Sequence, residues 1–289
     1  MNSVTIKAPA KVNLTLDVKG LRPDGYHDIE TVMHQIDLSD TVTVARVDRG
    51  LTVHTNMPDL PSGEANLAYR AARLIIEKFE IQEGVTIRIQ KHIPVGAGLA
   101  GGSTNAAATL KGMIRLFNLN MSWEDTQVLS ASLGSDVPFC LMGGTALATG
   151  RGEILKLIQH KAALHFVLIN PGFEVSTAEV YALLDQETII ERPDSGAVIT
   201  GLMNRKVQTV AQNLGNVMER VTLQNYPILH KIKQHLMDAG ALNALMSGSG
   251  PTIYGLFADV GHARQAYFKL RDVYPGTFIC SSFEQSGVA

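Results

Sequence analysis

Cysteine is scarce in this sequence, and recognisable metal-ligand spacings are missing from it. The chain has 2 cysteines among 289 residues, Cys140 and Cys280, and both lie in apolar surroundings without a CxxC or Cys/His spacing. This excludes a fold built on disulfide bonds and predicts two buried thiols in a reducing compartment. A Ser/His/Asp signature and a GxxxxGK[ST] phosphate-binding loop are missing as well.

Long apolar runs and an excess of one charge are also missing. No stretch reaches the roughly 18–20 apolar residues that a membrane helix requires. Lys7 and Lys11 interrupt any apolar run near the N-terminus, which argues against a signal peptide. The 25 basic and 27 acidic residues give a net charge of −2, so neither nucleic acid nor a membrane is an expected partner. We therefore expect a soluble, cytoplasmic protein.

Strand and helix patterns are both present. Alternating apolar residues from Ala10 to Val18 predict a strand, and apolar residues at helical spacing run from Glu64 to Phe79. A chain of 289 residues can hold one large or two ordinary domains. Because the elements do not alternate strictly as β-α-β units, the predicted fold class is α+β. We place the domain division between residues 158 and 159.

Glycine is concentrated in one stretch, from Pro94 to Leu110. Its glycines and the hydroxyl residues after them are Gly96, Gly98, Gly101, Gly102, Ser103 and Thr104. Glycine lets main-chain N–H groups approach a ligand closely, and a hydroxyl can cap the alanine-rich helix that we predict over residues 103–117. The start of a helix binds anions. The stretch therefore fits a phosphate cradle, and it also fits a tight turn that permits close packing.

Three further groups are candidates for chemistry, and each has a structural alternative. Lys11 and Asn13 share the polar face of the first strand, either as a solvated face or as a cation and a neutral partner near a phosphate or a reacting hydroxyl. Tyr26 and His27 follow a Pro-Asp-Gly turn, where they contact a ligand or pack over the turn. Asp136 orients a nucleophilic hydroxyl, caps the short element after it, or does both.

Together these motifs resemble those of the GHMP kinase superfamily, named after galacto-, homoserine, mevalonate and phosphomevalonate kinases. Pro94–Asn105 looks like its ATP-phosphate motif, and the glycine–serine turn Met246–Thr252 looks like its C-terminal glycine-rich motif. Other stretches look like the branch that phosphorylates the 2-hydroxyl of 4-diphosphocytidyl-2-C-methyl-D-erythritol in the non-mevalonate isoprenoid route. These stretches are Ala8–Leu14, Arg22–His27, Gly134–Phe139 and Val175–Tyr181.

The resemblance implies an enzyme, an ATP-dependent small-molecule kinase that uses Mg²⁺. It implies a two-domain GHMP kinase fold with the active site in the cleft between the domains. Residues 1–158 are then the ATP-binding and catalytic domain, and residues 159–289 the substrate-binding domain. The expected partner is a small molecule with a cytidine diphosphate moiety. Magnesium ligands and the oligomeric state stay unassigned.

The resemblance also assigns residues by position. Asp136 matches the catalytic aspartate, which orients and deprotonates the hydroxyl, and Lys11 matches the lysine beside it. Tyr26 and Tyr181 are expected to bracket the cytosine ring, and His27 to read its edge. The positions that match substrate contacts are Asn13, Tyr26, His27, Thr177 and Tyr181. Those that match the ATP side are Asn66, Pro94, Val95, Gly96, Ala97, Gly98, Leu99, Ala100, Gly101, Gly102, Ser103, Thr104 and Asn105.

Two positions of the phosphate motif depart from the usual pattern of the superfamily. Ala100 stands where much of the superfamily has glycine, and Thr104 stands where serine is more usual. Both residues are small, so we expect the geometry of the loop to survive.

Two alternatives remain open. The chain can be another small-molecule kinase of the superfamily, of the homoserine or mevalonate type. Tyr26, His27 and Tyr181 count against this, because those substrates have no base to stack. It can also be a catalytically silent binding protein on the same fold. Retention of Lys11 and Asp136 counts against that, because a silent relative has no chemical need for the pair.

Overall fold

The computed structural model describes residues 2–283, and the predicted α+β class is confirmed. The strands are β1 (Ser3–Leu21), β2 (His27–Val47), β3 (Leu51–Thr55), β4 (Gly84–Gln90), β5 (Thr145–Thr149), β6 (Ile154–Leu157), β7 (His165–Ile169), β8 (Gly215–Asn216), β9 (Asn243–Met246), β10 (Ile253–Phe257) and β11 (Thr277–Ser281). The helices are α1 (Leu67–Lys78), α2 (Gly101–Leu116), α3 (Trp123–Leu133), α4 (Val137–Met142), α5 (Thr177–Leu184), α6 (Ser195–Met203), α7 (Val207–Gln212), α8 (Glu219–Asn225), α9 (Ile228–Asp238) and α10 (Val260–Leu270). Within residues 2–283, none of the helices combines the length and the apolarity needed to cross a membrane.

The chain divides into two compact units, each built from several segments. Within the described residues, the first unit takes in residues 2–10, 38–94 and 100–143, and the second takes in residues 11–37, 95–99 and 144–283. The division therefore falls inside β1, inside β2 and inside the glycine-rich stretch. The predicted boundary between residues 158 and 159 lies within the second unit. As a boundary between functional domains it stays a prediction.

In the first unit, helices pack closely on a small sheet. Strand β4 pairs antiparallel with residues 41–47 of β2 and parallel with β3. The alanines of α2 are buried, among them Ala106 and Ala107. A Cβ on Gly112 of α2 would lie 2.7 Å from Cγ2 of Val44 in β2. Small side chains in α2 therefore set how closely the helix approaches the sheet.

The second unit has a sheet of its own in the order β11-β7-β10-β9, with antiparallel neighbours. In helix α9 the buried residues Leu229, Ile232 and Leu236 recur three and four residues apart. This spacing places them on one apolar face, which favours a helix packed against the core. Strands β5 and β6 form an antiparallel hairpin, and the short strand β8 pairs parallel with β1. The helices and the sheet share one apolar core that includes Val167, Ile169, Ile253 and Phe257.

Two histidines of the second unit lie in a buried chain of hydrogen bonds. His34 Nδ1 lies 2.6 Å from Thr145 Oγ1, which lies 2.7 Å from His160 Nε2. His34 Nε2 lies 2.9 Å from Ser282 Oγ. His160 Nδ1 accepts the N–H of Ala162 at 3.1 Å, so its Nε2 carries the proton and donates to Thr145. The Thr145 hydroxyl then donates to His34 Nδ1, and His34 Nε2–H donates to the serine. Both imidazoles are neutral in this arrangement.

This buried hydrogen-bond network predicts that the protein becomes less stable in acid because of His34. Burial lowers the pKa of His34 from 6.5 to about 3 and also lowers the pKa of His160. Between pH 6.5 and about 3 the unfolded chain binds a proton at residue 34 that the folded chain does not. Stability is therefore lost as the pH falls through this window, by at most about 1.4 kcal/mol per pH unit for one proton. We expect the urea concentration at the midpoint of unfolding to decrease when the pH is lowered from about 7 to about 5.

The variant His34→Gln provides the matched comparison, because its amide can still donate to Ser282 and does not titrate. It should be less stable near neutral pH and should lose less stability on acidification than the original chain. Equal slopes of unfolding free energy against pH in the two proteins would contradict the assignment to His34.

Candidate functional site

The first part of the glycine-rich stretch, residues 95–99, lies against the glycine–serine turn 246–252 within the second unit. The Gly98 carbonyl accepts hydrogen bonds from Ser247 Oγ at 2.9 Å and from Lys11 Nζ at 3.3 Å. Gly98 has a φ of +74°, and a Cβ there would lie 2.0 Å from the Ser247 carbonyl oxygen. Glycine is therefore needed at position 98 both for the backbone conformation and for the close approach of the two turns.

The second part of the stretch, in the first unit, begins helix α2. This helix starts at Gly101, not at residue 103, so the predicted capping by Ser103 or Thr104 is wrong, and both residues lie inside the helix. The first helical bond runs from Thr104 N to Ala100 O at 2.9 Å. The N–H groups of Gly101, Gly102 and Ser103 therefore point out of the helix start without helical acceptors. Two glycines leave this first turn without bulky side chains, which suits it for an anion.

Ala100, at the N-cap of α2, has the left-handed conformation φ 57° and ψ 32°. An alanine in that region costs about 1 kcal/mol because its Cβ crowds the following carbonyl. Glycine avoids this cost, which gives a physical reason for the glycine that much of the superfamily has here. The turn is formed in this chain despite the alanine.

Lys11 and Asn13 are buried, with exposed fractions of 4% and 1%, so the alternative of a solvated face is wrong. Lys11 Nζ donates to Asn13 Oδ1 at 2.7 Å, and Asn13 Nδ2 donates to Thr31 Oγ1 at 2.8 Å. The Tyr254 hydroxyl donates to the Asn13 carbonyl at 2.8 Å, and burial raises the pKa of Tyr254 well above 10.0. A buried ammonium is costly unless it is hydrogen-bonded or paired, and Asn13 Oδ1 and the Gly98 carbonyl supply part of that compensation.

The turn 246–252 is held by side chains that the sequence analysis did not single out. Asn216 Nδ2 donates to the carbonyls of Met246 and Gly248, both at 2.8 Å. Glu219 Oε1 accepts the Met246 N–H at 2.8 Å, and its other oxygen pairs with Lys233 at 2.6 Å. These hydrogen bonds hold the turn in one shape.

Helix α5 carries two of the functional candidates on one face. Thr177 and Tyr181 lie four residues apart, and Asp185, the C-cap residue of the helix, follows after four more. Thr177 Oγ1 lies 2.8 Å from Ser249 Oγ. The N-cap of the helix is Ser176, whose side chain accepts the N–H of residue 179.

The aromatic candidates are paired within the second unit. The ring of His27 stacks on that of Tyr181 with centroids 4.4 Å apart and planes 16° apart. His27 Nε2 lies 2.8 Å from Asp185 Oδ1, and because a carboxylate only accepts, this nitrogen carries a proton. Tyr26 is 54% exposed, and the Arg151 guanidinium lies 4.8 Å from its ring centroid. Bracketing of a base by Tyr26 and Tyr181 stays a prediction.

Asp136 and Asn66 precede helices of the first unit in different ways. Asp136 is half-buried and is the N-cap residue of α4. Within residues 2–283, which include all of α4, its side chain makes no capping hydrogen bond to that helix. The alternative that its side chain caps α4 is therefore wrong. Asn66 does cap α1, because its Oδ1 accepts the Ala68 N–H at 2.9 Å while its Nδ2 donates to the Pro61 carbonyl at 2.8 Å. The contacts of both residues with a ligand stay predictions.

Among residues 2–283, no group of three or more His, Cys, Asp and Glu side chains is placed to hold a metal ion. Magnesium needs no such group when it arrives with a nucleotide, because phosphate oxygens and waters supply most of its ligands. The two cysteines, Cys140 and Cys280, are both buried, as predicted.

Sequence reasoning missed several residues that support these positions. Arg151, Asp185 and Asn216 carry no motif, although the four-residue spacing from Thr177 through Tyr181 would have led to Asp185. Lys91 and Asp40 form a buried ion pair in the first unit. Val85, Ile87 and Ile89 alternate on the buried side of β4, and Lys91, two residues after Ile89, continues this alternation.

Comparison with known proteins identifies the class of this fold. The chain matches the family model for the GHMP kinases N terminal domain over residues 66–144 and the model for GHMP kinases C terminal over residues 198–276. A homoserine kinase from Cytophaga hutchinsonii superposes with a TM-score of 0.78 over 98% of this chain and 95% of its own, at 20% identity. At that identity the likeness shows a shared fold. The class is that of the GHMP kinases.

Closer relatives define the family within that class. The 4-diphosphocytidyl-2-C-methyl-D-erythritol kinase of Syntrophomonas wolfei is 46% identical over 281 residues, which is 97% of this chain and 99% of the relative. A crystal structure of 4-(cytidine 5'-diphospho)-2C-methyl-D-erythritol kinase has a TM-score of 0.84 at 34% identity, over 98% of this chain and 100% of that one. The chain therefore belongs to the 4-diphosphocytidyl-2-C-methyl-D-erythritol kinase family. The predicted enzyme class, an ATP-dependent small-molecule kinase, is confirmed.

Proposed function

We propose that this enzyme transfers the terminal phosphoryl group of ATP to the 2-hydroxyl of 4-diphosphocytidyl-2-C-methyl-D-erythritol, a step of the non-mevalonate route to isoprenoid precursors. The observation that carries the proposal is similarity along nearly the whole chain to relatives named for this kinase, one of them 46% identical over 97% of the chain. The geometry supports it, because the buried Lys11 ammonium and the turn at Ser247 meet at the Gly98 carbonyl of the phosphate motif.

We assign the phosphates of ATP to the stretch from Pro94 to Asn105. Phosphoryl transfer depends on positioning and charge neutralisation more than on covalent help. The N–H groups of Gly101, Gly102 and Ser103 supply donors at the positive end of the α2 dipole. Mg²⁺, arriving with ATP, would neutralise part of the phosphate charge. Asn66, which already caps α1, is assigned to the ATP side by position.

For the acceptor we assign Asp136 and Lys11. Asp136 orients the 2-hydroxyl and takes its proton late, as the bond from oxygen to phosphorus forms, which suits a loose transition state. Its half-buried carboxylate is not engaged in capping α4, so this role competes with no cap. Lys11 offsets the negative charge on the reacting oxygens. Its ammonium is held in one position by Asn13 Oδ1 and the Gly98 carbonyl, so little reorganisation is needed during the reaction.

For the substrate we assign Asn13, Tyr26, His27, Thr177 and Tyr181. The stacked rings of His27 and Tyr181 offer an aromatic surface for cytosine, and Tyr26 offers a second, exposed ring. Thr177 and Asn13 offer hydroxyl and amide groups for the polar parts of the substrate. We propose that the partner is a small molecule with a cytidine diphosphate moiety.

The direct test is to incubate the purified protein with ATP, Mg²⁺ and the diphosphocytidyl substrate. ADP and a new phosphomonoester, followed by ³¹P NMR, are the expected products. A matched acceptor that lacks the cytidine diphosphate group should give little ADP. If the folded protein forms no ADP above the ATP blank, the proposal is wrong. Exchange of label between ADP and ATP would then show whether any kinase chemistry remains.

Binding of cytidine diphosphate separates this function from that of a homoserine or mevalonate type kinase. We expect calorimetry to show binding, since base stacking on an aromatic ring contributes about 1–3 kcal/mol. Tyr181→Phe, which keeps the ring, should bind like the original chain, and Tyr181→Ala should bind roughly tenfold more weakly. Absence of binding to the original chain would favour the alternative kinases, and equal binding by Tyr181→Ala would remove Tyr181 from the site.

A further inference from the structure

A buried charged cluster lies in the first unit at the base of helix α2. It consists of Asp40 in β2, Lys91 just after β4, and Asn105 in α2. The side chains of Asp40 and Lys91 are 0% and 4% exposed, with Nζ and Oδ2 2.5 Å apart. Asn105 Nδ2 donates to the same Asp40 oxygen at 2.8 Å, and Lys91 Nζ donates to Asn105 Oδ1 at 3.1 Å. The three side chains therefore form a closed set of hydrogen bonds.

The other Asp40 oxygen binds the backbone. Oδ1 accepts the N–H of His92 at 2.7 Å and the N–H of Ile93 at 2.9 Å. These residues come directly before Pro94, where the phosphate motif begins. One carboxylate therefore ties down the segment that enters the motif and, through Asn105, the helix that leaves it.

The cluster also lies directly under the first residue of α2. A Cβ on Gly101 would be 3.1 Å from Lys91 Nζ and 3.2 Å from Ile93 Cγ2. Lys91 and Ile93 thus pack closely against the first turn of the helix. That turn carries the N–H groups of Gly101, Gly102 and Ser103, to which the phosphates are assigned above.

Stability alone is a poor reason for such a cluster. Taking a carboxylate and an ammonium out of water costs free energy that their attraction often does not recover, and apolar side chains of similar size frequently serve as well. Directional bonds are what an apolar pair cannot supply. Asp40 makes four of them, to two backbone N–H groups, an ammonium and an amide. A group that fixes directions is suited to holding a binding loop in its working shape.

We propose that Asp40 is a positioning residue for the phosphoryl donor: with Lys91 and Asn105 it holds both ends of the phosphate motif in the arrangement that receives ATP. The inference rests on the proposed function insofar as the motif is assigned to ATP. In this role Asp40 does not contact the phosphates. It acts through the backbone of residues 92–93 and through the start of α2.

The test is the variant Asp40→Asn, which keeps the size and one acceptor oxygen but turns a donor toward Lys91. We expect the Kd and the KM for ATP to rise about tenfold, because small displacements of positioning groups are costly, while the KM for the acceptor stays within about twofold. Ile75→Ala in α1 is the matched control, since it removes a fully buried side chain of the same unit. It should lower thermal stability and leave the KM for ATP unchanged.

A fall in thermal stability of Asp40→Asn with an unchanged KM and Kd for ATP would overturn the proposal and leave the cluster a structural ion pair. If Asp40→Asn does not fold, Lys91→Met is measured in the same way, because it leaves the bonds from Asp40 to the backbone in place. A severalfold rise in the Kd for ATP is expected there too, and no rise would overturn the proposal. ATP binding is measured by calorimetry without acceptor, so failure of the proposed acceptor chemistry would leave this test intact.

Discussion

Replacing Asp136 with asparagine should reduce kcat by about 10²–10⁴-fold, the range in which a general base contributes, while the KM values for ATP and the acceptor change little. Asparagine has nearly the same shape but cannot take the proton of the 2-hydroxyl. Because the Asp136 side chain does not cap α4, the substitution removes no helix cap, and the free energy of unfolding is measured to detect any other structural contribution of the carboxylate. Steady-state kinetics and urea unfolding on the same preparation measure both quantities.

Asp259→Asn is the matched control for this variant. Asp259 is a true N-cap, since its side chain accepts the N–H of His262 at the start of α10. The control should keep both full activity and stability. Turnover by Asp136→Asn close to that of the original chain would rule out a catalytic role, and a matching loss of stability would show a structural role for the carboxylate.

Replacing Gly98 with alanine should damage both the fold and the activity. The added Cβ would lie 2.0 Å from the Ser247 carbonyl oxygen and 3.1 Å from that of Gly250, and backbone atoms cannot turn aside as a side chain can. Overpacking of this kind costs about 1–3 kcal/mol, and the left-handed conformation adds about 1 kcal/mol. The turns must separate, which breaks the bonds from Lys11 and Ser247 to the Gly98 carbonyl. We expect kcat/KM for ATP to fall at least about tenfold.

Gly172→Ala separates the two costs. Gly172 also has a positive φ of +86°, but among the described residues nothing lies within 4 Å of the Cβ it would gain. This variant should lose about 1 kcal/mol from backbone strain and keep its activity. If Gly98→Ala were no less stable and no less active than Gly172→Ala, close contact between the two turns would not matter for function.

Much of the local structure could be predicted because its causes are local. The alternation from Ala10 to Val18 lies inside β1 (Ser3–Leu21), and the helical spacing over residues 64–79 contains α1 (Leu67–Lys78). Periodicity and turn residues act over a few neighbours, so a sequence displays them directly. Long-range causes are not visible in the same way. Strand β2 runs unbroken through Asp40, whose carboxylate is satisfied by groups about fifty residues further along the chain.

The arrangement of the candidate residues was not predicted, and their roles in a site stay predictions. The motifs named Lys11, Asn13 and Gly98, and the chain brings these three together within the second unit. Burial of Lys11 and Asn13 did not follow from their polar character. The stacking of His27 on Tyr181 was not expected either. These properties depend on which distant segments pack over a residue. The sequence does not show whether a given polar side chain is buried or exposed to solvent.

The glycine-rich stretch shows where the division lies. The sequence alone determined the α+β class, because strand and helix patterns act over a few neighbouring residues. Its resemblance to the GHMP kinases added two predictions, that Pro94–Asn105 binds phosphate and that aromatic residues contact a base. Tertiary structure decided that α2 begins at Gly101 and that Gly98 is pressed against Ser247. It also decided that Asp40 and Lys91 pair beneath the helix, 51 residues apart. The physical reason is that burial, close approach and ion pairing are properties of distant segments brought together by folding.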